Sequence, residues 1–274
     1  MKKIKLIFIY FVLTAVIFAQ EGYVASFNTL RLGKSQKDYT LTAQALEMFD
    51  IAGLIEVMDI EGVEKLINAL NKVSGEKWDY HISPYPVGKK SYKEYFAYVW
   101  KRDKVEFLKE RGFYKDAEEK FARPPYGADF KIGEFDFTFV LVHSVFGKNE
   151  SARRAEAFKM DKVYDYYQNM ASEENDIIIA GDFNLSGFDE SFEKLLSHPD
   201  KIIYALSPTI KTTLGKKSLA SSYDNMFLST IYTKEFTGRS GALDFTQGQY
   251  RLMKDKISDH LPIFIVVEIS EDDD

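Results

Sequence analysis

Residues Ile177-Ile178-Ile179-Ala180-Gly181-Asp182-Phe183-Asn184 run from four apolar side chains straight into a polar turn. So short an apolar run, bounded by polar residues, predicts a buried strand over 176–180, with Asp182 and Asn184 just past its end. The same plan recurs outward in both directions. Asn28 follows a predicted strand at 23–27, Glu56 follows one at 51–55, and His143 follows one at 135–142. Asp224 opens a strand at 224–231, while Asp259 and His260 precede one at 262–269. A further aromatic-rich strand is predicted at 95–100, and amphipathic helices at 40–49, 60–73 and 152–170. Interleaved strands and helices, with several strands joined as hairpins, predict an α/β fold whose sheets are covered by helices.

Taken singly, these polar residues have ordinary explanations. Asp and Asn at strand ends form turns, because their side chains bond nearby backbone. Glu56 alone suits a helix start, and His143 alone suits a hydrogen-bonded core position. His81 and His198 lie in polar, loop-like surroundings and carry no functional reading. Polar residues at the ends of six apolar runs are harder to explain as turns. If those ends converge, one cleft collects carboxylates, carboxamides and two imidazoles, a donor set suited to magnesium, manganese or calcium rather than zinc.

Composition narrows the chemistry further. The 274 residues are 45% hydrophobic and 28% charged, ordinary globular proportions that exclude a disordered or collagenous chain. There is no cysteine, so thiol catalysis, zinc–thiolate sites, iron–sulfur clusters and disulfides are excluded. The formal charge of −6 argues against broad coating of nucleic acid but permits a local binding patch.

The N-terminus reads as a targeting segment. Lys2, Lys3 and Lys5 precede an apolar run over 6–19 that ends at Ala19, followed by Gln20-Glu21-Gly22. This is the plan of a secretory signal peptide, and the run is shorter than the roughly 20 residues of a spanning helix. Cleavage after Ala19 removes three lysines and takes the formal charge from −6 to −9. The expectation is a signal peptide over 1–19 and a single domain over 20–274. The mature protein would be secreted or periplasmic, without stable membrane association, and no protein partner is evident. No repeat, proline-rich linker or low-complexity stretch divides the chain.

Ser26-Phe27-Asn28, Ile55-Glu56-Val57, Gly181-Asp182-Phe183-Asn184 and Ser258-Asp259-His260-Leu261-Pro262 occur in the order used by the endonuclease/exonuclease/phosphatase superfamily. The chain resembles that superfamily over about residues 23–269. Ser91-Tyr92-Lys93-Glu94, Phe121-Ala122-Arg123-Pro124-Pro125, His143-Ser144 and Tyr223-Asp224 resemble its deoxyribonuclease I branch more specifically.

The resemblance implies a deoxyribonuclease I-like two-sheet α/β sandwich with helices on the outer faces. It implies a divalent-metal-dependent endonuclease that hydrolyses DNA phosphodiesters with little sequence preference, using Mg2+, with Mn2+ or Ca2+ as alternatives. It pairs His143 with Glu94 and His260 with Asp224 as the proton-transfer groups, without assigning base and acid. Glu56, Asp182, Asn28 and Asp259 are implied around the metal. Asn184, Arg123, Tyr92 and Arg31 are implied at the substrate, with Arg123 on a backbone phosphate and Tyr92 along a sugar.

This sequence also departs from the branch. Met58 stands where the family often carries a groove-reading Arg two residues after the metal-binding Glu, and Leu30 stands where another is found. A phosphatase or sphingomyelinase-like phosphodiesterase acting on a small or lipid substrate is the alternative in the same fold. A non-enzymatic binding protein that kept the fold is a third reading.

Overall fold

Two parallel strand pairs organise the molecule, and their ends carry the polar residues singled out above. The computed structural model describes residues 20–34, 36–89, 92–118, 120–170 and 175–272. The expected signal peptide over 1–19 and Ser91 of the Ser-Tyr-Lys-Glu segment lie outside them. The first sheet contains β1 (Glu21–Leu32), β2 (Ile51–Val57), β3 (Trp78–Ile82), β4 (Tyr95–Lys101), β11 (Phe236–Ala242) and β12 (Ile263–Glu268). Its spatial order is β11-β12-β1-β2-β4-β3, with β1 and β2 parallel at the centre. The second contains β5 (Val105–Phe113), β6 (Tyr126–Ile132), β7 (Phe135–His143), β8 (Ile177–Asp182), β9 (Ile202–Tyr204) and β10 (Asp224–Ser229). Its order is β5-β6-β7-β8-β10-β9, with β7 and β8 parallel.

Helices in and after the crossovers of the two parallel pairs supply the outer layers. Between β1 and β2 runs α1 (Tyr39–Gln44), and α2 (Ile60–Ser74) follows β2. Asp59 caps α2 by accepting from Gly62 N at 2.8 Å, and Gly75 ends it in the left-handed region at φ 73°. Leu66 and Leu70 of α2 pack on Phe49, Leu54 and Ala97 of the first sheet's outer side. Between β7 and β8 run α3 (Glu150–Ala157) and α4 (Met160–Met170). Val163 and Tyr167 of α4 cover Val140 and Ile179. The inner faces of both sheets meet in an aromatic core that includes Phe96, Tyr98, Phe130, Phe137 and Phe139. The arrangement is the expected two-sheet sandwich with helices outside.

Gly53 sets how closely the central strands approach. A Cβ at this position would stand 2.3 Å from Leu141 Cδ2, so any other residue would have to push Leu141 aside. Gly53 lies three residues before Glu56, and Leu141 lies two before His143. The contact that presses the sheets together therefore also brings these two functional residues near each other.

Several elements differ from expectation. The helix at 40–49 ends at Gln44, and the chain turns so that Leu46 and Phe49 are buried. The helix at 152–170 breaks between α3 and α4, although the apolar spacing Ala157, Met160, Tyr164, Tyr167 runs through the break unchanged. Strands β3, β5, β6, β9 and β11 were not predicted; β5 and β11 are only partly buried and carry no continuous apolar run, β9 is three residues long, and in the buried β6 Gly127, Asp129 and Lys131 interrupt the apolar pattern. Among the described residues no helix is long and apolar enough to cross a membrane.

Candidate active site

Strand direction explains the convergence. The parallel strands β1, β2, β7 and β8 all finish at one rim, delivering Asn28, Glu56, His143 and Asp182. Strand β10 is antiparallel to β8 and begins there, with Asp224 opposite Asp182, and His143 is in register with Asp182 from the other side. His260 precedes β12, which is antiparallel to β1, so it enters at the same rim. The cleft so formed has a volume of 310 Å³ and is lined by Glu56, His143, Asp182, Asn184, Asp259 and His260, among others. A larger concavity of 750 Å³ lies elsewhere, between the β3–β4 and β5 edges; its one imidazole, His81, is bonded to Tyr126 Oη at 2.6 Å.

Both histidine–carboxylate pairs form. His143 Nδ1 donates to Glu94 Oε1 at 2.5 Å, and His260 Nδ1 donates to Asp224 Oδ2 at 2.8 Å. Each bond fixes the tautomer and turns Nε2 into the cleft. The two Nε2 atoms converge on one atom, Asp182 Oδ2, at 3.8 and 3.6 Å. Asn28 Nδ2 bridges Glu56 Oε1 and Asp182 Oδ2, at 3.2 Å from each. Tyr92 Oη donates to Glu56 Oε2 at 2.9 Å. Asn184 donates one side-chain N–H to Ser144 O, and its backbone N–H bonds Asp182 Oδ1 at 2.8 Å. Asp259 lies at the cleft wall with Lys254 Nζ 3.1 Å away. The guanidinium of Arg31 lies 5.5 Å from the Tyr92 ring centroid, at the rim.

The backbone is strained where the chemistry is placed. Glu56 and Asn184 take φ values of 58° and 53°, in the left-handed region. Asn adopts that conformation readily, whereas Glu does so rarely. An irregularity in the β2–β4 register between Leu54 and Val57 accommodates it, and Thr29 Oγ1 donates to Ile55 O at 2.7 Å.

Electrostatics follow from burial and crowding. Burial opposes charge on His143, but Glu94 outweighs it and raises the imidazole pKa. Burial likewise opposes ionisation of Glu94, yet His143 and Arg123 hold its pKa below the ordinary carboxylate value. Asp182 is pushed up by burial and by neighbouring Asp224, against the pull of both imidazoles. A buried carboxylate under that pressure is a natural place for a cation. One ligand atom each from Asp182, Asp224 and His260 lies within 4.8 Å of the others; with His260 bonded to Asp224, the carboxylates left for an ion are Asp182 and, linked to it by Asn28 Nδ2, Glu56. These oxygen-rich residues fit a hard divalent ion.

Burial alone would lower the His260 pKa, but Asp224 and Asp182 outweigh it and raise it to about 10. In chelator-treated protein this raised pKa stabilises the fold fully below about 6.5, the ordinary value. The contribution is lost as pH rises toward 10, with a slope of at most about 1.4 kcal/mol per pH unit. Urea midpoints between pH 6.5 and 10 should therefore fall more steeply for wild type than for His260→Ala. Parallel curves would mean that His260 is not held protonated.

Arg123, expected on a backbone phosphate, is buried and already engaged. Its Nε donates to His143 O at 2.8 Å and its Nη2 to Ser144 O at 2.9 Å, with Glu94 Oε1 3.5 Å from Nε. The Nε–Nη2 edge of the guanidinium holds the segment carrying His143, so only the Nη1 side could reach a phosphate. Arg123→Ala should cost on the order of 3 kcal/mol of stability, as breaking a buried charged pair does. It should also lower kcat, and Arg123→Lys should not restore either property, because an ammonium cannot reproduce the fork. Unchanged urea midpoints with only a raised KM would return Arg123 to the substrate.

Further contributors were not evident from sequence. Thr212 Oγ1 donates to Asp224 Oδ2 at 2.6 Å and so orients the second dyad. Glu156 accepts from Ala122 N at 2.6 Å and Val145 N at 2.8 Å, tying together the segments that carry Arg123 and His143. Lys37 is held at Ile257 O. Burial lowers its pKa to about 8, although Asp259 and Glu56 draw it upward. Arg153 stacks 4.0 Å from the ring centroid of Phe146, an exposed aromatic at the cleft lip. None of these positions lies at the end of an apolar run.

No protein-family model matches the chain. Its sequence is similar to a deoxyribonuclease of Thioalkalivibrio sp. (strain K90mix), 27% identical over 258 residues covering 89% of this chain and 70% of the relative. It is similar also to deoxyribonuclease-1 of Rattus norvegicus, 28% identical over 269 residues covering 89% and 90%. Among solved structures, an endonuclease/exonuclease/phosphatase family protein from Bacteroides thetaiotaomicron superposes with a TM-score of 0.62 at 18% identity, covering 91% of this chain and 98% of that one. The chain has the endonuclease/exonuclease/phosphatase fold and resembles the deoxyribonuclease I branch. The fold by itself does not select a substrate: a mannosyl-6-phosphatase from Bacteroides thetaiotaomicron superposes with a TM-score of 0.61 at 20% identity, covering 90% and 99%.

Proposed function

We propose that the protein is an exported, divalent-metal-dependent DNA endonuclease that hydrolyses phosphodiester bonds with little sequence preference. Similarity to deoxyribonucleases supports a nuclease. The observation that carries the reading at this chain's own residues is the pair of buried imidazoles, each locked to a carboxylate, whose Nε2 atoms face one Asp182 oxygen.

Hydrolysis needs a proton removed from the attacking water and one delivered to the leaving oxygen. Two imidazoles on either side of one point supply both transfers, and Glu94 and Asp224 stabilise whichever ring is protonated. Asn184, which gives one side-chain N–H to Ser144 O, has a second N–H for a phosphate oxygen, without adding negative charge. Glu56 and Asp182, with Asn28 and Asp259 beside them, would hold the divalent ion, which when bound supplies charge neutralisation at the phosphate oxygens. Tyr92, braced on Glu56, and Arg31 would border the substrate's sugar–phosphate chain. Export rests on the N-terminal segment alone.

Incubation with supercoiled plasmid, with magnesium and separately with chelator, tests the reading. Magnesium-dependent nicking of unrelated plasmids alike is expected. Inert DNA together with release of phosphate or phosphocholine from a small or lipid ester would overturn it.

A further inference from the structure

Leu214 separates two cavities. On one side it closes the candidate active cleft; on the other it forms a wall of a groove of 660 Å³ lined by Lys216, Lys217, Arg251, Lys254 and one acid, Asp255. The groove is built by the loop following Thr213 and by α5 (Tyr250–Lys256), a helix that buries none of its side chains. It is tied to the cleft through Asp259, whose backbone oxygen accepts from Leu214 N at 2.7 Å and whose carboxylate holds Lys254 at 3.1 Å. Lys216, Lys217 and Arg251 are exposed. With Lys254 paired to Asp259, Lys216, Lys217 and Arg251 against Asp255 still concentrate positive potential in a concave surface beside the reacting groups, on a chain of formal charge −6.

We propose that this groove is a track for the backbone phosphates of a nucleic-acid strand leaving the cleft, so that the substrate is a polynucleotide and not a small phosphoester. The proposal rests on the phosphodiesterase reading of the cleft. A small ester fills the cleft and leaves the groove cations without a task. A strand running past Leu214 would meet Lys216 and Lys217 from the loop and Arg251 from α5. Such contacts carry no base information, in keeping with sequence-tolerant cleavage. They also offer a local source of affinity on an acidic chain.

The test measures affinity for a fluorescent duplex oligonucleotide in chelator, as a function of NaCl. The variants are Lys216→Gln/Lys217→Gln/Arg251→Gln and a control of equal charge change at distant exposed lysines, Lys72→Gln/Lys109→Gln/Lys162→Gln. Each lost phosphate contact reduces the log–log salt slope by about 0.9, so the groove variant should lose roughly 2 to 3 units of slope and at least about 10-fold in affinity at low salt. The control should change the slope by less than about 1 unit. Equal slopes for wild type and the groove variant, with matching thermal midpoints, would overturn the track. So would equal losses in both variants, which would trace the effect to net charge. Plasmid cleavage by wild type is scored separately. A slope lost only in the groove variant supports the track even if no DNA is cut, in which case the nuclease reading alone falls.

Discussion

His143→Ala and His260→Ala should each reduce kcat for plasmid nicking by about 10²- to 10⁴-fold, the range for positioned acid–base groups. The geometry argues that they act on one event. Their Nε2 atoms lie 3.8 and 3.6 Å from the same Asp182 oxygen, and each Nδ1 is occupied by its own carboxylate. Removing one proton-transfer group already prevents the concerted displacement, so the double variant should be no slower than the worse single variant by more than a few-fold. Glu94→Gln and Asp224→Asn keep the shape but remove the charge that stabilises the imidazolium, and should each cost about 10²-fold. Multiplying effects in the double variant would show two independent steps. A double variant that keeps most of its activity would remove the histidine pair from the mechanism.

The sequence showed the site where local pattern and function coincide. Asn28, Glu56, His143, Asp182, Asp224 and His260 stand at the ends of short apolar runs, and parallel strands deliver such ends to one rim. Arg123 was harder to read. Its partners are carbonyls at His143 and Ser144 on a strand end 20 residues away, and backbone acceptors leave no mark in a sequence. Thr212, Glu156 and Arg153 share that difficulty, since their tasks depend on tertiary neighbours and not on periodicity. Five strands escaped for a different reason: in β3, β5, β9 and β11, at the sheet edges, partial exposure or shortness blurs the apolar alternation that marks a strand, and in the buried β6 the residues Gly127, Asp129 and Lys131 interrupt it. The cations of the groove beyond Leu214 come from segments more than 30 residues apart, so no charge run announces them.

Glu56→Gln should lower activity by about 10²- to 10³-fold at limiting magnesium, comparable to losing one strong electrostatic contact at the reacting centre. The amide keeps the size of the side chain but loses the charge. It also places an N–H₂ where Asn28 Nδ2 and Tyr92 Oη now donate to carboxylate oxygens, so one donor must lose its acceptor. Calorimetric titration with magnesium should show weaker binding in the variant, a readout independent of turnover. Glu56→Gly separates site from scaffold. Glycine adopts the φ of 58° found here without steric cost, whereas a non-glycine residue held there carries about 1–3 kcal/mol of strain. The glycine variant should thus be at least as stable as the glutamine variant while being equally inactive, which would mean that the strained conformation is maintained for the carboxylate and not for the fold. A glycine variant clearly less stable than Glu56→Gln would assign Glu56 a structural role. Near-normal nicking by Glu56→Gln at limiting magnesium would remove it from the metal site.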